Sequence, residues 1–438
     1  MRARAAVAAV LLVAPASANP LGTYGFGSRE AAMGAAVTAD TSGASATFYN
    51  PAGLARAERL TLELGHLQVN QRLLIDGRDT KTDPVKGLSG GVVAPGELFR
   101  VPFAFGLGVH LPDDRLSRIR TMRQDIPRWE LYDNRAQLLF IGAMLAVRPA
   151  RWLAIGGGVA FLSSTRGDFA ISGRAQLDSP YDSQLRHQVD ADLTTVRVPY
   201  LGVRVDPSDR WSLGLSYRGE SKLDLRLDAD IKGEAEKLGI VAPVRYTLGS
   251  RSFDAFQPRQ LTLGVSTLPH PRVRANMDLT YVQWSSYESA TSRSTSHLEI
   301  SGVDGVLAVP PDTKPTVVKD PEFRDRVVPR VGVEGWVIDA RVKVAARAGY
   351  VFERSPVPPQ TGTTNFVDAD RHTVSLGAGV RVPRPADVLE GELRLDVHAA
   401  WSFLPERRTV KDNPADFVGG YRASGRQTSY GATLGVLF

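Results

Sequence analysis

The chain has 438 residues, 23% of them charged, a formal net charge of +6 and no cysteine. A fold without cysteine does not depend on disulfides, and scattered arginines without Lys/Arg blocks or interleaved aromatics argue against nucleic-acid binding. No segment offers the eighteen consecutive apolar residues of a transmembrane helix.

The first eighteen residues have the pattern of a secretory signal peptide. Arg2 and Arg4 precede an apolar run at 5–13, and Ala16-Ser17-Ala18 forms a small-residue cleavage site. The alternative, an N-terminal anchor helix, needs a longer apolar run. We therefore expect an exported protein that begins near Asn19, and loss of two arginines and no acid lowers its net charge from +6 to +4.

Residues 19–57 do not look like strands. Between Ala31 and Ala57, 13 of 27 residues are Gly or Ala, too few large apolar groups for an independent core. Small residues permit close packing against a surrounding wall. The segment is predicted to form a compact plug (hatch), and the alternative is a flexible periplasmic leader.

Residues 58–438 show alternating apolar and polar side chains. In 392–403, Leu395, Val397 and Phe403 share one face, while Glu392 and Arg394 share the other. A charge facing lipid near the midplane costs about 2–4 kcal/mol, so the charged face points into a lumen. Fourteen such strands are predicted, at 59–75, 87–95, 101–111, 135–148, 152–172, 185–205, 211–230, 258–268, 272–291, 325–338, 341–353, 370–383, 391–404 and 425–438.

The connections between these strands alternate in length. Short connections lie at 148–151, 206–210, 268–272 and 338–341, and the longer ones lie at 112–134, 173–184, 231–257, 292–324, 354–369 and 405–424. The final strand ends the chain on Phe438, although a soluble edge strand can look similar. Short periplasmic turns and long outer loops predict an all-β, 14-stranded antiparallel transmembrane barrel in the bacterial outer membrane, with both termini in the periplasm.

Four stretches carry a resemblance to a known family. They are the Gly/Ala-rich leader that ends in Asn50-Pro51-Ala52-Gly53, LGLSYRGESK at 213–222, YVQWSSY at 281–287, and RAGYVFERSPVP at 347–358 followed by DADRHTVSLGAGV at 368–380. In order and spacing the chain resembles the outer-membrane long-chain fatty-acid and aromatic-hydrocarbon transporters of the FadL/TodX type. That resemblance implies a fourteen-stranded barrel whose lumen is blocked by an N-terminal hatch.

The resemblance also implies a gate. Asn50, Pro51, Ala52 and Gly53 correspond to a hatch element that contacts a kinked third strand, where a side opening releases ligand into the membrane. The third strand here contains Pro102, Gly106 and Gly108, and such residues weaken a β-ladder. A bulge or gap is expected there, and the alternatives are an ordinary strand-start proline and glycines that serve lumen packing.

The expected cargo is a hydrophobic small molecule, a fatty acid or hydrocarbon, carried passively without cofactor or metal. The predicted ligand-binding residues are the large apolar groups near the mature N-terminus, whose alternative role is plug packing: Leu21, Tyr24, Phe26, Phe48, Tyr49 and Leu54. Residues 112–134 also suggest a short basic amphipathic helix that covers the barrel and contacts lipopolysaccharide and outer-membrane lipid. We expect a monomer.

Three rival functions remain at this stage. An enzyme would need a nucleophile with its base, or metal-ligand spacing, and the seven scattered histidines show neither pattern. A general porin for polar solutes would need an open bore. A barrel that has lost transport cannot be distinguished by sequence.

Overall fold

The computed structural model of the protein describes residues 20–114, 124–133, 139–176, 184–237, 240–289, 291, 293–300, 312, 318–385 and 391–438. The predicted signal peptide lies outside this range, as do residues 115–123 of the predicted amphipathic helix. In the part of the chain that is described, no helix has the length and apolarity needed to cross a membrane.

Strands make up most of the described chain. In chain order they are β1 (Thr61–Ile75), β2 (Arg78–Asp79), β3 (Val85–Leu98), β4 (Val101–Pro112), β5 (Phe140–Ala150), β6 (Leu153–Gln176), β7 (Gln184–Ser208), β8 (Trp211–Arg218), β9 (Ser221–Lys237), β10 (Ile240–Gln257), β11 (Gln260–His270), β12 (Val273–Val282), β13 (Arg293–Ile300), β14 (Arg326–Asp339), β15 (Lys343–Glu353), β16 (Arg371–Pro383), β17 (Glu392–Thr409) and β18 (Tyr421–Leu437).

Fourteen of these strands close into a barrel, and β2, β9, β10 and β13 lie outside its wall. The wall runs in chain order with antiparallel neighbours, and β8 pairs with β11 while β12 pairs with β14. The first and last strands close the ring over a full register from Thr61↔Leu437 to Ile75↔Ala423. The predicted 14-stranded antiparallel barrel is therefore confirmed.

The two faces of the wall differ as the alternation predicted. On β17, Leu395 and Phe403 are 44% and 54% exposed, whereas Ser402 between such positions is buried. An apolar outer face is the one that suits lipid. The exposed leucines and aromatics of the outer face are thus a lipid-facing band.

The loop predictions need correction at two places. Predicted loops 231–257 and 292–324 contain strands β9, β10 and β13, and the predicted seventh strand divides after Arg218 into the wall strand β8 and the separate strand β9. Beyond the wall, β9 pairs with β6 in parallel and with β10 antiparallel. Strands outside the membrane need no apolar lipid face, so the alternation search missed β10 and β13 and assigned the first part of β9 to the wall.

The N-terminal plug, residues 20–57, lies inside the ring. Its short helices are α1 (Pro20–Tyr24), α2 (Ser28–Ala32), α3 (Ala46–Tyr49) and a 3-10 helix at Pro51–Arg56. Almost every residue from 28 to 55 is buried. The prediction of a plug that occupies the lumen agrees with this burial.

A second apolar cluster closes the end of the barrel opposite the short turns. It includes the helix α4 (Glu130–Asp133) and a 3-10 turn at Trp284–Ser286. We call this cluster the lid, and its aromatic members are Trp129, Tyr132, Phe256, Trp284, Tyr287, Phe323, Phe366 and Tyr421. Because short turns mark the periplasmic end of such barrels, the lid lies at the extracellular end.

Candidate functional site

Glycines on the inner face of the wall let the plug approach the strand backbones. A Cβ on Gly202 of β7 would lie 2.0 Å from Asn50 Oδ1, and one on Gly156 of β6 would lie 2.4 Å from the Pro51 carbonyl carbon. Gly53 allows the same closeness inside the plug, where a Cβ would lie 2.4 Å from Thr41 O. The predicted hatch element therefore contacts β6 and β7.

The third barrel strand, β4, is regular. Its ladder with β3 runs without a register shift from Gly87↔Pro112 to Leu98↔Val101, and its ladder with β5 is equally continuous. The predicted bulge or gap is therefore wrong for this structure. Added Cβ atoms on Gly106 and Gly108 would lie 2.7 Å from Leu54 Cδ2 and 2.0 Å from Thr47 Oγ1, so these glycines make room for the plug.

Asn50 connects two parts of the plug to the wall. Its Nδ2 donates to Thr38 O at 2.8 Å and to Val203 O at 3.2 Å, while its Oδ1 accepts from Ala52 N at 3.1 Å. The side chain is fully buried. These three bonds use both ends of the amide and fix the turn that begins the 3-10 helix.

Buried ion pairs join the plug to β12, β14 and β15. Arg29 Nη2 lies 2.5 Å from Asp40 Oδ2 and 3.1 Å from Glu334 Oε1. Arg274 Nη1 lies 2.7 Å from Asp40 Oδ1, and Arg347 Nε lies 2.6 Å from Glu334 Oε2. Burial alone would raise the pKa of the Asp40 carboxyl, but Arg29 and Arg274 outweigh it and hold that pKa below its ordinary value.

Five of the six predicted ligand-binding residues pack together in one buried cluster: Leu21, Phe26, Phe48, Tyr49 and Leu54. The ring centroids of Phe48 and Tyr49 are 5.2 Å apart. Tyr24 belongs to a separate cluster with Leu67, Val69 and Val85. These residues fill the lumen, which matches their alternative role as plug packing, and a ligand role for them stays a prediction.

A small chamber lies between the lid and the start of the plug. Two cavities of about 40 Å³ each share Gly22, Thr23, Arg330 and Glu353 as lining residues. We call the pair the upper chamber. Four arginines line it: Arg218, Arg326, Arg330 and Arg371.

The upper chamber has spare hydrogen-bond donors. Glu353 pairs with both Arg326 and Arg371, yet Arg326 Nε and Arg371 Nη1 are buried and have no hydrogen-bond partner among the described residues. Arg218 lies over the Phe48 ring, 4.2 Å from its centroid. The chamber therefore combines unsatisfied cationic donors with two aromatic lining residues, Trp284 and Tyr24.

Sequence reasoning missed these arginines, although a signal was present. Arg218, Trp284, Glu353 and Arg371 all lie in the stretches that carry the family resemblance. Only the strand register shows that they converge on one chamber.

Comparison with known proteins agrees with this architecture. Residues 183–436, more than half of the chain, match the family model described as outer membrane protein transport protein (OMPP1/FadL/TodX). No curated protein matches the chain.

Several solved structures share the fold. A Pseudomonas aeruginosa FadL homologue is 17% identical with a TM-score of 0.53, covering 98% of this chain and 99% of its own. The CymD monoaromatic hydrocarbon channel is 17% identical with a TM-score of 0.56 over 95% of this chain and 98% of its own. The Ralstonia pickettii toluene transporter TbuX is 15% identical with a TM-score of 0.53 over 95% and 99%.

At such identities the structural likeness concerns the fold alone, and the family model supplies the relationship. That model describes membrane transport proteins, not enzymes. The chain belongs to the FadL/TodX family of outer-membrane transporters of hydrophobic compounds.

Proposed function

We propose that the protein carries amphiphilic carboxylates, such as long-chain fatty acids, passively across the outer membrane. The observation that carries this proposal is the upper chamber, where Arg326 Nε and Arg371 Nη1 lack partners among the described residues. Guanidinium groups bind carboxylates through paired, charge-assisted hydrogen bonds. The chamber therefore suits an anionic head group.

The surroundings of the chamber suit an apolar tail. Val282 and Trp284 of the lid line it from the extracellular side, and the ring of Phe48 lies beneath Arg218. Burying an alkyl chain contributes about 0.8 kcal/mol per methylene. The head group and the alkyl tail of the cargo would thus contact different residues in and around the upper chamber.

In the structure the upper chamber is closed. Each cavity of about 40 Å³ holds little more than ordered water. Cargo entry therefore requires α1 and the lid to separate from each other. Ligand binding must supply the free energy for that separation.

Monoaromatic hydrocarbons are the second candidate. The lid is rich in aromatic rings, with Tyr287 and Phe323 stacked at 4.4 Å, and similar structures carry the names of monoaromatic hydrocarbon and toluene transporters. A general porin for polar solutes has less support, because the plug packs closely against the wall.

Replacement of Arg330 by Gln tests the cargo. Uptake of radiolabelled oleate by cells that express the variant should fall about tenfold, since a charge-assisted hydrogen bond contributes roughly 1.5–3 kcal/mol, while toluene uptake should stay unchanged. Arg245→Gln, at an exposed ion pair outside the wall, is the control. Toluene uptake without oleate uptake by the wild-type protein would favour the second candidate.

Lateral exit into the membrane is also a proposal, and it requires that a ladder beside β4 opens. The chain has no cysteine, so a cystine between Leu107→Cys and Ala143→Cys, which lie opposite each other on β4 and β5, would hold that ladder shut. Oxidation should abolish uptake and reduction should restore it. The same pair at Leu376 and Ala399 of β16 and β17 is the control, and unchanged uptake in the oxidised β4 variant would rule out exit between β4 and β5.

We further infer that residues 1–18 are a cleaved signal peptide, that residues 19–57 are the hatch, and that the mature protein works as a monomer. Closure of β1 on β18 supports a monomer, since the closed ring leaves no wall strand that needs a partner chain. Contact with lipopolysaccharide is proposed for the extracellular loops. The basic character of 112–134 supports that contact.

A further inference from the structure

The periplasmic end of the barrel contains a second cationic cavity, separate from the upper chamber. It measures about 490 Å³ and lies at the turns that join β5 to β6 and β7 to β8. Six arginines line it: Arg56, Arg148, Arg151, Arg204, Arg210 and Arg274. Arg56 is the last residue of the plug's 3-10 helix, so plug and wall both contribute.

Carboxylates neutralise this charge only in part. Asp206 and Asp209 are the acidic residues in the lining, and Asp206 Oδ1 accepts from Arg204 Nε at 2.9 Å. Arg274 is paired with Asp40 of the plug. Among the described residues, the other four arginines have no carboxylate within salt-bridge distance.

Arg204 is held in place with one nitrogen to spare. It is 2% exposed, and its Nη2 donates to Ser212 Oγ at 2.8 Å. Its Nη1 is buried and has no hydrogen-bond partner in the described chain, and Arg56 repels it as a like charge. A buried charged donor without an acceptor is costly, and an anion would relieve both the missing bond and the repulsion.

Part of the cavity lining is apolar. Trp152, Pro207 and Leu268 contribute this part, and Trp152 is 55% exposed. We propose that this cavity binds an oxyanion, a carboxylate or a phosphate, that is attached to an apolar group. Arg204 is the central ligand, and the apolar residues of the lining contact the attached group.

Such an oxyanion has two possible sources: the head group of transported cargo and the phosphate of a phospholipid in the periplasmic leaflet. The site does not depend on the proposed cargo, because its donors come from the periplasmic mouth. Two probes separate the sources, namely octanoate and dihexanoyl phosphatidylglycerol.

Calorimetric titration of the full mature protein in a neutral detergent tests the site. The variant Arg330→Gln serves as the starting protein, so that binding in the upper chamber is weakened about tenfold and can be told apart from binding at the periplasmic cavity by its dependence on Arg204. We expect saturable binding of at least one probe, and Arg204→Gln should weaken it about tenfold. Binding of octanoate alone indicates cargo, binding of the phospholipid alone indicates lipid, and binding of both indicates a general oxyanion site.

Two further variants make the result decisive. Arg56 is exposed and lies outside the wall, so the Arg56→Gln protein should assemble even where the Arg204→Gln protein does not. The Arg56→Gln substitution should weaken probe binding several-fold. Arg341→Gln, on the other side of the periplasmic mouth, should leave binding within twofold of the starting protein. Absence of saturable binding by both probes, or binding by the Arg56 and Arg204 variants as tight as that of the starting protein, would overturn the proposal.

Discussion

Glycine at inner positions of the wall sets how closely the plug approaches the barrel. A Cβ on Gly349 of β15 would lie 2.2 Å from Gly34 N, and one on Gly332 of β14 would lie 2.4 Å from Met33 O. These distances are to backbone atoms, which cannot rotate away as a side chain can. Each such glycine is therefore a contact site for the plug.

Alanine at Gly156 or Gly202 should loosen the plug without preventing barrel assembly. The added methyl groups would meet Pro51 and Asn50, and overpacking of this kind costs roughly 1–3 kcal/mol. We expect transient channel openings in planar-bilayer recordings and a lower Tm. Gly435→Ala on β18, whose nearest contact would be an ordinary 3.5 Å, should change neither, and a closed, fully stable Gly202 variant would contradict this account.

For single residues, the sequence predicted which side chains are buried better than it predicted what those side chains do. Leu54, Phe48 and Tyr49 are buried as large apolar groups should be, and Gly106 and Gly108 mark a special position on β4. The physical reason differs from the expected one, because these glycines receive Leu54 and Thr47 and do not interrupt a ladder. A one-dimensional pattern shows that a position is small and does not show what fills the space beside it.

At the scale of elements, ion pairs and amide bonds hold the plug to specific strands. Arg29 and Asp40 connect it to Glu334 on β14 and Arg274 on β12. Asp278 on β12 accepts from Val37 N and Thr38 N, both at 3.0 Å. Because each bond joins a particular plug residue to a particular strand, the plug has one fixed position inside the ring.

The pH dependence of plug attachment follows from Asp40. Its pKa is lowered in the folded protein, so its stabilising contribution is complete above the ordinary carboxyl pKa and is lost as the pH falls through the lowered value. Ion current should therefore stay low from neutral pH to about pH 5 and rise only in stronger acid. Bilayer recordings across this range measure it, and leakage that begins near neutral pH would argue against the role of Asp40.

Arg29→Gln removes the cation from the same network. Because it leaves buried carboxylates on Asp40 and Glu334 with fewer partners, plug attachment should weaken by about 3–5 kcal/mol. The same recordings should show openings at neutral pH. Arg245→Gln, at an exposed ion pair with Asp230, should behave like the wild-type protein. An Arg29 variant without channel openings would mean that the hydrogen bonds alone hold the plug.

The wall elements were predictable from alternation because lipid imposes an apolar face on every strand. Strands β10 and β13 were not, and β9 was assigned in part to the wall, since no lipid constrains strands outside the membrane. The upper chamber was also beyond sequence reasoning. Its arginines come from β8, β14 and β16, and only the register of three separate ladders brings them together.

At the scale of the whole molecule, the ring closes without the plug, whereas several inner polar groups of the ring depend on the plug for their hydrogen bonds. The ring is closed by strand pairing from β1 to β18, which requires no plug residue. Several inner polar groups do depend on the plug: Glu63 accepts from Ala44 N at 2.9 Å, Asn276 donates to Ala36 O at 2.8 Å, and Ser375 donates to Ala32 O at 2.9 Å. In the absence of the plug these groups would be hydrated by water in the bore.

Deletion of residues 20–57 from the mature chain should therefore give an assembled but open barrel. We expect folded mobility on unheated gels, a lower Tm because the buried contacts are lost, and a large, steady conductance in planar bilayers. Removal of residues 223–254 from the β9–β10 hairpin, a deletion of comparable length outside the wall, should leave the bore closed. A plug-deleted barrel that assembled and stayed closed would show that the lid, and not the plug, seals the lumen, while loss of assembly would mean that the ring needs the plug to fold.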